Sequence, residues 1–224
     1  RVLGQYEKAE PLLLESQSIR EKIIGKEHPD YAQSLNNLAI LYRVMGQYEK
    51  AERLYLEAKA INEKALGKEH PDYALSLNNL ASLYINKGHY EKAEALYLEA
   101  KAIWEKVVGK DHPDYAECLN DLAVLYQDVG QFNKATPCFL ELSTVNKRLL
   151  EKAMGHLSEN ELNNFIRLFS ERQERTLYFA QVSRGQNLAP ACYDNSLFYK
   201  GFLLNAANRI KHMAMTDSSS KKKY

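Results

Sequence analysis

GQYEKAERLYLEAKAINEKALGKEHPDYALSLNNLASLYINK, residues 46–87, is followed without a gap by GHYEKAEALYLEAKAIWEKVVGKDHPDYAECLNDLAVLYQDV, residues 88–129, and 29 of the 42 aligned positions are identical. The same frame runs backward from Gly4 and forward from Gly130. A fixed period of this size marks a stack of helical hairpins, because one hairpin cannot cover its own apolar face and must lean on the next. Such a chain presents a long surface, so its default role is to hold another molecule.

Within a unit, His70-Pro71-Asp72-Tyr73 opens a segment in which Tyr73, Leu77, Leu80, Ala81 and Tyr84 follow helical spacing up to Gly88. Proline in the first turn loses no needed N–H, and the adjacent aspartate faces the positive end of the helix dipole. A second helix is expected from about His89 to Val108, with Ala93, Leu96, Tyr97, Ala100 and Ile103 on one stripe and Gly109 as its stop. Alanines 39, 81, 123 and 51, 93, 135 recur where helices must approach closely. Tyrosines 42, 84, 126, 48 and 90, with Phe132, are expected to fill the larger holes. The outcome is an all-α, right-handed superhelical solenoid of antiparallel helix pairs, followed by two further helices.

The pattern Leu38-Ala39-x-x-Tyr42-x-x-x-Gly46-x-Tyr48-x-x-Ala51-x-x-x-Tyr55-x-x-Ala58 resembles the tetratricopeptide repeat, and GKEHPDYAxSLNNLAxLY is similar to the longer variety found in kinesin light chains. The resemblance covers about residues 1–150. The repeat array is accordingly placed at residues 1–153, with units starting near residues 4, 46, 88 and 130. Arg1-Val2-Leu3-Gly4 matches the junction Arg43-Val44-Met45-Gly46, so the first hairpin is expected to lack its first helix.

After Gly130 the frame decays. Pro137 falls where Pro11 does in the first unit, early in a second helix. Ser158-Glu159-Asn160-Glu161 reads as a capping box opening a helix to about Arg184, and Asn187 as the cap of another to about Met215. These form an extension over 154–216, with a polar tail at 217–224. The stretch Tyr193-Asp194-Asn195-Ser196-Leu197-Phe198-Tyr199-Lys200-Gly201-Phe202-Leu203-Leu204-Asn205 resembles the helical connector ahead of the caspase-like CHAT domain in bacterial repeat-plus-protease proteins. That resemblance implies a regulatory arm whose catalytic part lies beyond Tyr224.

The first helices of this repeat class line the concave side. The implied groove comprises Gln33, Asn36, Asn37, Ile40, Arg43 and Val44, then Leu75, Asn78, Asn79, Ser82, Ile85 and Asn86, then Glu117, Asn120, Asp121, Val124, Gln127 and Asp128. A carboxamide both donates and accepts, so a row of them one repeat apart can satisfy an extended peptide backbone whatever its side chains are. The resemblance to kinesin light chains assigns this role to Asn37, Asn79 and Asp121, of which ionised Asp121 only accepts. A rung bonding adjacent first helices is the other reading of the same ladder. Arg43 toward one end and Glu117, Asp121 and Asp128 toward the other favour a basic segment at the third unit. Trp104, in a slot held elsewhere by Arg20, Asn62 and Asn146, is either a binding hot spot or packing.

The remaining signals are mostly exclusions. A net charge of +1 over 224 residues gives no pull toward nucleic acid or anionic membrane, and no apolar run approaches a bilayer-spanning length. Cys118, Cys138 and Cys192 lack ligand spacing and read as buried free thiols. His28, His70 and His112 recur just before prolines and read as helix-start residues rather than metal ligands or a catalytic cluster. Glu49, Lys50, Glu57 and Lys59 read as a solvated face. No phosphate loop, nucleophile elbow or HExxH is present. The expectation is a cytoplasmic, non-enzymatic scaffold with no cofactor or metal, binding a protein or peptide, with self-association through exposed repeat ends (Leu12, Leu13, Ile19) as a further option.

Overall fold

The HPDY segments start helices for a reason visible at the atoms. In the computed structural model, which describes residues 3–154 together with Arg167, Tyr178 and Phe179, the Nδ1 of His28 accepts the Asp30 N–H at 3.1 Å. His70 caps Asp72 at 3.1 Å and His112 caps Asp114 at 3.3 Å in the same way. Each imidazole thus satisfies one of the orphan donors of a helix start, and the following proline has no donor to lose. His70→Ala should lower the free energy of unfolding by about 1 kcal/mol in urea titrations, and His70→Asn should restore it. An unchanged alanine variant would remove the histidines from the capping account.

In chain order the described helices are α1 (Leu3–Ile24), α2 (Pro29–Val44), α3 (Tyr48–Leu66), α4 (Pro71–Asn86), α5 (Tyr90–Val107), α6 (Pro113–Asp128) and α7 (Phe132–Met154). No strand occurs among the described residues. The hairpin turn of the repeat needs a left-handed residue, and Gly46 supplies φ 73°. The turn is closed by the Gln47 N–H on the Tyr42 carbonyl at 2.8 Å and the Gly46 N–H on Arg43 at 3.1 Å, the bond pair of a Schellman motif.

Packing shows the hairpin to be antiparallel. Early α2 residues Tyr31, Ala32 and Leu35 cluster with late α3 residues Ala58 and Ile61. Late α2 residues Leu38, Ala39, Leu41 and Tyr42 cluster with Ala51 and Tyr55 of early α3, and Leu80 and Leu83 of α4 join them. Ala39, Ala51, Ala81 and Ala93 are fully buried, as close helix approach requires. Consecutive elements from α1 to α5 pack on one another, and α2 also meets α4 directly, so successive first helices lie side by side.

A polar strut repeats with the period. The Tyr42 hydroxyl donates to Glu10 at 2.8 Å and the Tyr84 hydroxyl to Glu52 at 3.0 Å. Lys87 adds its ammonium to Glu52. The Lys87 hydrogen bond, opposed by partial burial and aided by Tyr84, holds the Glu52 carboxyl below its ordinary value of 4.5. Because the folded pKa is depressed, the stabilisation is complete above the unfolded value and is lost as pH falls through the folded one. The urea midpoint should therefore fall below about pH 4.5. In Glu52→Gln that fall should be smaller. Identical acid profiles would contradict the strut.

Four expectations need correction. The turn expected at Gly4 is absent, since α1 already runs from Leu3 and Gly4 is helical. Tyr90 fills no hole, being 42% exposed at the start of α5. Lys50 and Lys59 are more than solvated charges. Lys50 lies over the Tyr42 ring, Lys59 over Tyr73 and Lys92 over Tyr84, so the second helices lay cations on first-helix aromatic faces. Cys138 is only half-buried, whereas Cys118 is buried as expected.

The chain divides into two compact units, Arg1–Leu125 and Tyr126–Tyr224. In the second unit α7 buries Phe139, Leu142, Val145 and Leu149, and Phe139 stacks on Phe179 with ring centroids 4.6 Å apart. Pro137 is accommodated inside α7 and Pro11 inside α1. Of the helix expected over 158–184 only Arg167, Tyr178 and Phe179 are described, each of them helical; the helix expected over 187–215, the tail at 217–224, Cys192 and the stretch 193–205 lie outside the described residues.

Candidate ligand-binding face of the first helices

Because α2, α4 and α6 each begin with the same capped HPDY turn, equivalent side chains of successive first helices come out in register. Arg43 of α2, Ser82, Ile85 and Asn86 of α4, and Asp121 and Val124 of α6 together line one open hollow. All six were expected on this face. Its seventh lining residue, Tyr97 of α5, was not, because its stripe position marks it as core.

Polar groups in the hollow are mutually held. The Arg43 guanidinium donates to Asn86 Oδ1 at 3.2 Å, tying α2 to α4. The Tyr97 hydroxyl lies 2.9 Å from Ser82 Oγ. Burial, seconded by the Asp121 charge, pushes the Tyr97 phenol far above its ordinary range, so it stays protonated. Burial likewise raises Tyr55, with the neighbouring Arg43 charge opposing it. The hollow therefore combines a cation, a carboxylate, a neutral hydroxyl pair and two aliphatic walls, a set suited to holding a polar chain.

The other expected residues separate according to depth. Asn36, Asn78 and Asn120 are buried between helices, at 5%, 6% and 5% exposure, and have little surface to offer. Asn120 donates to Asp121 at 3.3 Å. The Oδ1 atoms of Asn36 and Asn78 accept no hydrogen bond. Asn37 and Ile40 are exposed and Asn79 half-buried, but they line neither this hollow nor the one described next. Asp128 is exposed and belongs to the second unit. Trp104 is 1% exposed, which assigns it to the core and removes it as a surface hot spot.

A second hollow lies between the starts of α2 and α4, lined by Pro29, Asp30, Gln33, Asn36, Asn62, Asp72 and Leu75. Only Gln33, Asn36 and Leu75 of these were expected on this face. The signal for Asn62 was legible as the variable slot holding Arg20, Asn62 and Trp104 in successive units. Among the described residues no group of three or more His, Cys, Asp or Glu is placed to hold a metal ion, and no helix is long and apolar enough to cross a membrane.

Comparison with known proteins follows the same lines. No curated protein matches this sequence. The Q17M variant of a kinesin light chain candidate from Podosopora anserina, with nearly identical TPR-like repeats, is 25% identical, with 78% of this chain and 90% of that one covered at a TM-score of 0.56. BtubC (BKLC) from P. vanneervenii is 21% identical over 99% of this chain and 76% of that one, TM-score 0.54. A Rap protein complexed with competence and sporulation factor is 16% identical over 93% of this chain and 60% of that one, TM-score 0.56. The tetratricopeptide repeat signature matches residues 1–64, 32–100 and 72–147, so that the hairpins, their period and their sequence agree, and the chain belongs to the tetratricopeptide repeat family.

Proposed function

We propose that this chain is a non-enzymatic scaffold that binds a peptide or protein segment along the concave face of its first helices. The observation that carries the reading is the shared hollow, where side chains from three successive first helices converge on one opening. Repeat proteins of this family serve generally as protein interaction scaffolds. The similar Rap protein is complexed with competence and sporulation factor, which supports a ligand in a fold of this kind. An extended segment would lie across α2, α4 and α6, with Asn37 and Asn79 presenting carboxamides beside the hollow and Asp121 favouring a basic group.

The test is retention of a purified partner by wild type and by Asn37→Ala/Asn79→Ala, after checking that both melt alike. The expected result is unchanged melting with partner affinity lowered at least tenfold. A sharp fall in melting with the partner retained would make the ladder structural and end this assignment.

A second reading, self-association, is favoured by one observation. Leu12, Ile19 and Ile23 of α1 are 67%, 48% and 75% exposed, a run of apolar surface on one element. Sedimentation that is concentration-dependent, and monomeric in Leu12→Glu/Ile23→Glu, would support it. A monomer at every concentration would eliminate it. The regulatory-arm reading drawn from the CHAT resemblance rests on residues 193–205 and calls for a catalytic domain outside this chain; a His-Gly and a Cys-containing segment encoded downstream would support it.

A further inference from the structure

We infer that the hollow between the starts of α2 and α4 is a subsite for a guanidinium group, the side chain of an arginine in the bound segment. This inference rests on the groove reading and adds a ligand chemistry to it. The hollow, of about 70 Å³, is lined by Asp30, Gln33, Asn36, Asn62 and Asp72, with Pro29 and Leu75 as its apolar walls.

Acceptors dominate it. Asn62 is 3% exposed and Asn36 5%, and the Oδ1 of each is buried without a hydrogen-bond partner. The orientation of the Asn62 amide is fixed by its Nδ2, which donates to the Asp72 carbonyl at 3.2 Å and to Ser76 Oγ at 3.0 Å, so its oxygen is the free end. A buried acceptor left unsatisfied is costly, and a donor from a ligand would recover that cost. Asp30 and Asp72, at the two helix starts that line it, bring negative charge to its rim. The Asp30 and Asp72 N–H groups that an anion would use at the two helix starts are already taken by His28 and His70.

The chain itself supplies the pattern for the ligand. Forty-two residues before Asn62, in the same repeat position, stands Arg20. Its guanidinium donates to the Asp30 carbonyl at 2.6 Å and to Gln33 Oε1 at 3.3 Å. The Asp72 carbonyl that Asn62 holds is the repeat counterpart of that Asp30 carbonyl. Where the first unit carries its own guanidinium and the third carries the buried ring of Trp104, the second carries a shorter amide and leaves the space open. A planar fork of N–H donors reaches acceptors on several walls at once, which a single ammonium does not.

The test uses N-acetyl-arginine amide, with the uncharged isostere N-acetyl-citrulline amide and N-acetyl-lysine amide as comparators, added to the full chain while the side-chain amide resonances of Asn36 and Asn62 are followed by NMR. Arginine should shift both saturably, with at least tenfold weaker responses to citrulline and weaker ones to lysine. Asn62→Arg, which installs the first unit's residue, should melt as wild type and abolish the response. Asp30→Asn/Asp72→Asn, both at exposed positions, should cut the preference for arginine over citrulline whether or not Asn62→Arg folds. Equal responses to arginine and citrulline, no saturation, or a preference untouched by the double variant would overturn the subsite. If arginine is silent while the partner segment still shifts the Asn79 and Asn86 amides, the subsite falls and the groove reading stands.

Discussion

Trp104→Ala is expected to lower the free energy of unfolding by about 3–5 kcal/mol, among the largest losses for one substitution in the chain. The ring is 1% exposed near the end of α5, and the N–H groups of Val108 and Gly109 fold back onto its carbonyl at 3.0 Å each. Truncation of this buried ring would leave a cavity at the end of α5. The indole Nε1 has no partner, so Trp104→Phe, which removes an unpaired donor along with some volume, should lose clearly less than alanine. Urea titration of the two variants checks both statements. A loss under about 1 kcal/mol for alanine would return Trp104 to the surface and reopen its hot-spot reading.

Ala39→Leu should destabilise by about 1–3 kcal/mol or more through overpacking rather than a cavity. Ala39 is fully buried in the cluster that joins α2, α3 and α4, with Ala51 and Tyr55 in the same cluster. Branched bulk at that position must push the hairpin apart or force neighbouring side chains off their rotamers. Leucine ranks just below alanine as a helix former, so propensity accounts for only a small part of a loss of this size. A melting temperature equal to wild type would mean that the helices do not approach closely at the alanine positions.

The sequence made the fold legible wherever a local rule acted alone. Spacing marked the helices, histidine with proline marked their starts, and glycine marked their ends; α4 and α5 lie within a residue or two of the segments read from His70, Gly88 and Gly109. Depth was harder. Asn36 and Asn37 are neighbours on α2, and both were placed on the groove, yet one is buried and the other exposed; a step of about 100° around a helix separates them, and only the packing of the adjacent helix decides which side is wet. Tyr97 was legible as core, but not as the floor of a hollow, because its hydroxyl reaches out to Ser82 while its ring stays buried. Lys50 and Lys59 looked like plain surface charges since the rings they cover sit on another helix. Asn62 could be flagged from sequence only as an irregular position, and its chemistry needed the open space beside it.

The most direct measurement of the central claim is hydrogen exchange of the chain with and without its bound partner segment, read peptide by peptide. Protection confined to α2, α4 and α6, strongest across residues 37–44, 79–86 and 121–124, is the predicted result. Protection falling instead on the outward faces of α3 and α5, around Leu56 and Leu98, with the first helices unchanged, would contradict it.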